Sequence, residues 1–284
     1  MRYMSWHGHL SLDYRLDGAR TIAHDRHHGP LRVLQRLYPE GDAICHHVLV
    51  HPPGGIVGGD VLDIDARLAP GSHAVITTPG ATRFYRSAGP EAVQNLKAQL
   101  AEGARLEWLP LETIAYQDSI ALNKMRFELE PGAEMMGWDV VALGLPAADQ
   151  AFEACSHPHG RFTQEIELPG VWLERGTVRS TDKLLLDSPL GWAGHRVMGT
   201  LWLASGAAMS RTRRESLLES ARSIHTTHTL ATTAGSTSPH EQVVVVRVLS
   251  EKVEPLMNLL TQIWGAWRQE AWQLPPCPPR IWRM

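Results

Sequence analysis

The sequence predicts a mainly β fold with two α-helices confined to a C-terminal α+β segment. Three patterns point there. Apolar and polar residues alternate through the first two thirds, glycine turns recur about every 30 residues, and helical periodicity appears only after residue 205. The alternation is clearest at Leu10, Leu12, Tyr14 and Leu16, separated by Ser11, Asp13 and Arg15. It returns at Leu62, Ile64, Ala66 and Leu68, separated by Asp63, Asp65 and Arg67. Side chains alternate across a strand, so each run has one core face and one wet face.

Three segments share a plan: RLAPGSHAVITTPG, QLAEGARLEWLPLE and ELEPGAEMMGWDVV. Each places a glycine three residues after a leucine (Leu68 to Gly71, Leu100 to Gly103, Leu129 to Gly132) and then starts a new strand. The recurrence fits a solenoid-like stack, whose units hide their apolar faces only against neighbours, and equally an ordinary succession of strands and turns. Helical spacing begins with Leu217, Leu218, Ala221 and Ile224, behind a capping box of Thr212 and Glu215. A second helix carries Val253, Leu256, Met257, Leu260, Ile263, Trp264 and Trp267. Between them lie a polar loop, TTHTLATTAGSTSPHEQ, and a β-branched strand, VVVVRVL from Val243. A stacked-strand body over residues 1–204 is therefore expected, followed by a smaller segment over 205–284 that ends in an extended proline-rich tail.

The densest local signal is HPPGGIVGGD, residues 51–60. Pro52 and Pro53 are rigid, while Gly54, Gly55, Gly58 and Gly59 permit angles and close approaches that side chains forbid. The stretch reads as a shaped turn with Asp60 as its one charged group. Gly54 and Gly59 have Walker-loop spacing, but Asp60 and Val61 stand where the phosphate-binding Lys and the magnesium-binding hydroxyl belong. A carboxylate there repels polyphosphate, so nucleotide binding is not expected.

A net charge of −3 offers no general surface for nucleic acid or for an anionic membrane. No run of 18 apolar residues occurs, and the N-terminus lacks a signal-peptide core. Cys45, Cys155 and Cys277 lie far apart and are odd in number, which suits a reducing compartment; a cytoplasmic protein is expected. Histidines cluster at His24, His27 and His28, beside Cys45 at His46 and His47, at His157 and His159, and at His225 and His228. Without an HExxH, surface or hydrogen-bonded histidines explain these better than a metal site. No GxSxG elbow is present, and acidic pairs arise by chance among 30 acidic residues, so no enzyme is expected. Trp264, Trp267, Trp272 and Trp282 crowd the last 21 residues, which fits contact with a partner or a core that anchors the tail.

Several long motifs in order resemble the urease accessory protein UreD family, called UreH in some systems. They are HPPGGIVGGD at 51–60, TTPGATRFYRS at 77–87, LEWLP from 106 with Glu112, GWDVVALGLPA at 137–147, WLER at 172–175 and PRIW near the end. The resemblance spans essentially the whole chain. It implies an elongated helical stack of β-strands (β-solenoid-like) with a few helices. It also implies a non-enzymatic maturation factor that binds the urease apoprotein and, with UreF and the GTPase UreG, conveys nickel to the dinuclear urease site. UreE would be the upstream nickel donor, GTP would be bound by UreG, and nickel would be a transient passenger rather than a tightly bound cofactor. The resemblance further implies an internal tunnel that nickel crosses, and the matching polar positions here are Asp60, Thr82, Arg83, Asp139 and Glu174. Oxygen ligands hold a hydrated divalent cation weakly enough to release it, whereas a full set of His and Cys ligands does not. The structural alternative is that Asp60 caps a turn, Arg83 pairs with a carboxylate, and Asp139 and Glu174 are buried partners in a scaffold that holds the apoprotein open without touching nickel. Two departures stand out. Many relatives carry Lys where Arg83 stands. The family's Gly-Arg-x-x-x-Gly-Glu pattern is here GLPAADQ from Gly144, so roles tied to the missing residues do not carry over.

Overall fold

The computed structural model describes residues 5–145, 148, 150–154 and 160–283. Cys155, His157, His159 and part of GLPAADQ lie outside the described residues. The chain opens with an antiparallel hairpin, β1 (His7–Asp17) and β2 (Arg20–His28), followed by the short β3 (Arg32–Val33). From there it visits two sheets in turn. β4 (Ile44–Val50), β6 (His73–Thr77), β9 (Arg105–Leu109) and β12 (Glu134–Leu145) stack in parallel in one sheet. β5 (Val61–Leu68), β8 (Ala92–Leu100), β11 (Ile120–Leu129) and β14 (Arg161–Leu168) stack in parallel in the other, beside β1. A narrow third face consists of β7 (Thr82–Phe84) and β10 (Thr113–Ala115), parallel to each other and to the second half of β12. Each circuit of the chain adds one rung to the stack, so the architecture is β-solenoid-like.

The recurring glycines are one corner of that solenoid. Gly71, Gly103 and Gly132 have φ of 71°, 70° and 86°, a region that L side chains rarely enter. They also stack: a Cβ on Gly103 would lie 3.7 Å from the Gly71 nitrogen, and one on Gly132 3.5 Å from the Gly103 nitrogen. The period in the sequence is therefore the circumference of the coil. Inward residues of both sheets, such as Leu12, Ile64, Leu106, Phe127 and Ile166, form the main core. Leu16, at the end of its alternating run, is exposed.

The chain then adds antiparallel strands. β13 (Gln150–Ala151) pairs with the end of β12, and β15 (Trp172–Arg179) closes one sheet beside β14. β16 (Val197–Ser205), β18 (Val243–Ser250) and β17 (Ala234–His240) extend the other sheet outward from β12. Strands from the segment after residue 205 thus continue the sheet of the body. A second core lies between this sheet's outer face and two helices, α2 (Arg211–His225) and α3 (Val253–Trp272). A five-residue helix, α1 (Lys183–Asp187), precedes β16 and was not anticipated.

Two local expectations need correction. Ser210, not Thr212, caps α2, its hydroxyl accepting from Arg213 N at 3.2 Å; Thr212 is already inside the first turn, and Glu215 instead pairs with Arg211. The polar loop expected before Val243 contains β17, because pairing with β18 supplies hydrogen bonds that a hydroxyl-rich sequence does not advertise. Among the described residues no helix is long and apolar enough to cross a membrane.

Candidate functional site

Strand alternation points Gln94 of β8, Asn123 of β11 and Gln164 of β14 into the solenoid interior, laterally in register. Their neighbours on the same faces, Leu96, Met125 and Ile166, belong to the apolar core. Asp139 of β12 meets this polar row from the opposite sheet. Asn123 Nδ2 donates to Asp139 Oδ1 at 3.1 Å, the Gln164 amide donates to Oδ2, and Gln94 Nε2 donates to Asn123 Oδ1 at 3.2 Å. The row continues sideways. Thr200 of β16 lies beside Asp139, and its hydroxyl donates to Glu174 Oε1 of β15 at 3.4 Å. Arg247 of β18, lateral to Thr200, ends the row with its Nε donating to the two Glu174 oxygens at 2.9 and 3.0 Å. From β8 to β15 the row crosses three strand spacings, about 14 Å at roughly 4.8 Å each.

Asp139 sets the electrostatics of the row. Its burial pushes the carboxyl up to about 7, the nearby Glu174 charge adds to the rise, and the Gln164 and Asn123 amides only partly oppose it. Its hydrogen-bond donors are neutral amides rather than cations. Near neutral pH such a group passes readily between its neutral and charged forms, so a cation can claim it by displacing a proton.

At the Gln94 end lies a cavity of about 190 Å³, lined by Thr82 and Arg83, by His51, Gly54 and Gly55, and by Gln94 itself. The glycine-rich turn forms one wall, and its glycines answer to sterics. A Cβ on Gly55 would lie 2.0 Å from the Tyr85 ring and one on Gly58 2.1 Å from Ser87 Oγ, while Gly54 and Gly59 have φ of 80° and 96°. Asp60 is buried but does not face the cavity: Oδ1 accepts from Trp6 N at 2.9 Å and Oδ2 from Val57 N at 3.1 Å. That carboxylate ties the turn to the start of the chain.

The sequence matches the family model described as UreD urease accessory protein over residues 7–283. The chain belongs to the UreD family. A urease accessory protein UreD of Leptothrix cholodnii is 63% identical over 99% of this chain and 100% of the relative. Those of Variovorax paradoxus and Paracidovorax citrulli are 60% and 58% identical, over 98% and 99% of this chain and 99% and 100% of the relatives.

Of the positions carried over from UreD motifs, the fold brings Asp139 and Glu174 into one row and puts Thr82 and Arg83 at its far end, while Asp60 stands apart among backbone amides. Gln94, Asn123, Gln164, Thr200 and Arg247 were not foreseen. Their only signal was a polar residue at an inward position of an alternating strand, repeated 29 residues apart at Gln94 and Asn123. The C-terminal tryptophans of this UreD-family chain donate internally: Trp264 to Glu107 at 2.7 Å, Trp267 to the Leu217 carbonyl at 2.8 Å, Trp272 to Glu134 at 2.7 Å and Trp282 to Thr77 at 2.8 Å. The first three are buried, so a partner would meet them only if α3 moved. Among the described residues no three His, Cys, Asp or Glu side chains converge to hold a metal ion. His46 meets Glu40 at 2.8 Å, and His47 meets the Tyr14 hydroxyl at 2.7 Å.

Proposed function

We propose that this chain serves urease maturation as scaffold and conduit. It binds the urease apoprotein, recruits UreF and through it UreG, receives nickel that UreE supplies upstream, and passes it through the solenoid in the cytoplasm. Its own catalysis is nil, and the GTP belongs to UreG. One observation carries the reading: polar side chains cross an otherwise apolar interior, from a cavity at Gln94 through the hydrogen-bonded Gln94, Asn123, Asp139 and Gln164 cluster to Thr200, beside Asp139 in the strand register, and the Glu174–Arg247 ion pair at the solvent border. Buried polar groups oppose folding unless each is satisfied, so a row that includes a carboxylate without a cationic partner is a poor choice for stability alone. Carboxylate, amide and hydroxyl oxygens are also weak ligands for a hydrated divalent cation, as cargo requires.

The test is the nickel content of urease matured in cells lacking this chain and complemented with wild type, Asp139→Asn or Asp60→Asn. Wild type is expected to restore nickel. Asp139→Asn should assemble with the apoprotein and UreF yet leave urease metal-poor. Asp60→Asn should load urease normally, because the Asp60 carboxylate already serves Trp6 and Val57. Equal loading by wild type and Asp139→Asn would favour a scaffold that never touches nickel, and no restoration by wild type would remove the maturation role.

A further inference from the structure

We propose that Arg247 is a resident counter-cation that plugs the outer end of the polar row, and that a divalent cation passes only when its guanidinium leaves Glu174. The proposal rests on the conduit reading and adds the residue that closes it.

The inward face of β18 is otherwise apolar: Val243 and Val245 belong to the main core, and Leu249 packs against it. A guanidinium at this inward position answers to Glu174, which it grips through Nε and Nη2. The two partners are unequally placed. The Glu174 side chain is 18% exposed and that of Arg247 44%, so the cation sits at the solvent border with the carboxylate behind it. A guanidinium so placed moves outward without dragging a charge through the core.

Room for that movement is built in. The lateral neighbour of Arg247 on β17 is Gly235, where a Cβ would meet nothing within 4 Å. Gly176 on β15, two residues beyond Glu174, is equally open. Arg247 also lines an open groove of about 570 Å³ together with Gly235, Thr237, Met198 and Leu249. With Arg247 seated, both Glu174 oxygens are engaged by its guanidinium, so an arriving cation meets Asp139 as the carboxyl of the row whose donors are neutral amides. With Arg247 swung out, Glu174 joins Asp139 and the local repulsion of a divalent cation disappears.

Direct titration of the purified full-length chain with Ni²⁺ tests this, with thermal unfolding as the control for fold. Arg247→Gln is expected to bind Ni²⁺ on the order of tenfold more tightly than wild type. Arg247→Lys, which keeps the charge, should stay close to wild type, and Arg247→Gln combined with Glu174→Gln should lose the gain. Arg247→Met, which keeps the apolar stem, replaces Arg247→Gln if the latter unfolds. A folded variant without the guanidinium that binds Ni²⁺ no more tightly than wild type overturns the plug, as does absence of binding in both. The two ideas separate cleanly. If Asp139→Asn starves urease of nickel while Arg247→Gln binds no more tightly, only the plug fails; if Asp139→Asn loads urease normally, the conduit fails first.

Discussion

Asp139 and Glu107 are carboxylates on neighbouring strands of one sheet, both buried, and they are driven in opposite directions. Asp139 faces the solenoid interior and accepts hydrogen bonds from the neutral amides of Asn123 and Gln164, so burial, helped by the Glu174 charge, carries it up to about 7. Glu107 faces α3. Burial pushes it up as well, but His73, the Arg268 charge and the Trp264 indole outweigh that push and hold it below the usual carboxylate range. His73 Nε2 lies 2.8 Å away, Trp264 Nε1 2.7 Å and Arg268 Nε 3.1 Å. Arg268, wholly buried, also reaches Glu40 at 2.6 Å and so ties the helix to the loop before β4. Burial is therefore common to both sites, and the partners decide the outcome. One carboxylate is held toward its ionised form in a network that joins a helix to the solenoid, and the other is held toward its neutral form.

The largest effect is expected from Arg268→Met. It strips the guanidinium from both Glu107 and Glu40, leaving Glu107 with His73 and Trp264, and should cost about 3–5 kcal/mol in urea unfolding. A loss no greater than that of a surface substitution would place the two carboxylates in one class and break the contrast. Asp139→Asn should act with the opposite sign. Because the folded pKa of Asp139 is raised from 3.8 to about 7, the folded chain binds this proton more tightly than the unfolded chain. Its contribution is complete below about pH 4 and is lost as pH rises through about 7, a linkage of up to roughly 4 kcal/mol. The Asn variant should consequently show a flatter stability profile between those limits and exceed wild type above pH 7. A variant less stable than wild type at high pH would contradict the assignment. Glu107 predicts the reverse in acid, where its contribution, present above the ordinary carboxylate value of 4.5, is lost as pH falls below it.

Smaller effects sharpen the picture away from the two sites. Gly103→Ala forces a Cβ into a left-handed corner and should cost about 1–2 kcal/mol, measurable by thermal unfolding, with no change in nickel delivery. Asp60→Asn exchanges one accepting oxygen for a donor that neither Trp6 N nor Val57 N can use, a loss of about 0.5–1 kcal/mol. Nickel-poor urease from Asp60→Asn would return this residue to the route and add a third kind of carboxylate to the comparison.

Legibility in the sequence followed the range of the interaction. Period-two runs marked β1 and β5 because alternation is local, and the spacing of Gly71, Gly103 and Gly132 recorded a corner that only glycine occupies without strain. The α2 cap was misplaced by two residues because Thr212 and Ser210 offer the same hydroxyl, and only backbone direction separates them. β17 was hidden because its hydrogen bonds come from β18 rather than from its own composition. Within the site, Asp139 and Glu174 were reached through family motifs, whereas Gln94, Asn123, Gln164, Thr200 and Arg247 look like ordinary strand polar residues until the rungs are stacked.

By itself the sequence determined the β-rich class, the alternating strands β1 and β5, the glycine corners and the family, since each depends on sterics or on motifs within a few tens of residues. The tertiary structure alone decided which polar side chains converge. The partners of Asp139 arrive from β11 and β14 of the opposite sheet, and those of Glu107 from β6 and α3. The charge of a buried carboxylate is a sum over groups that meet only in space, and no local pattern in the chain records that sum.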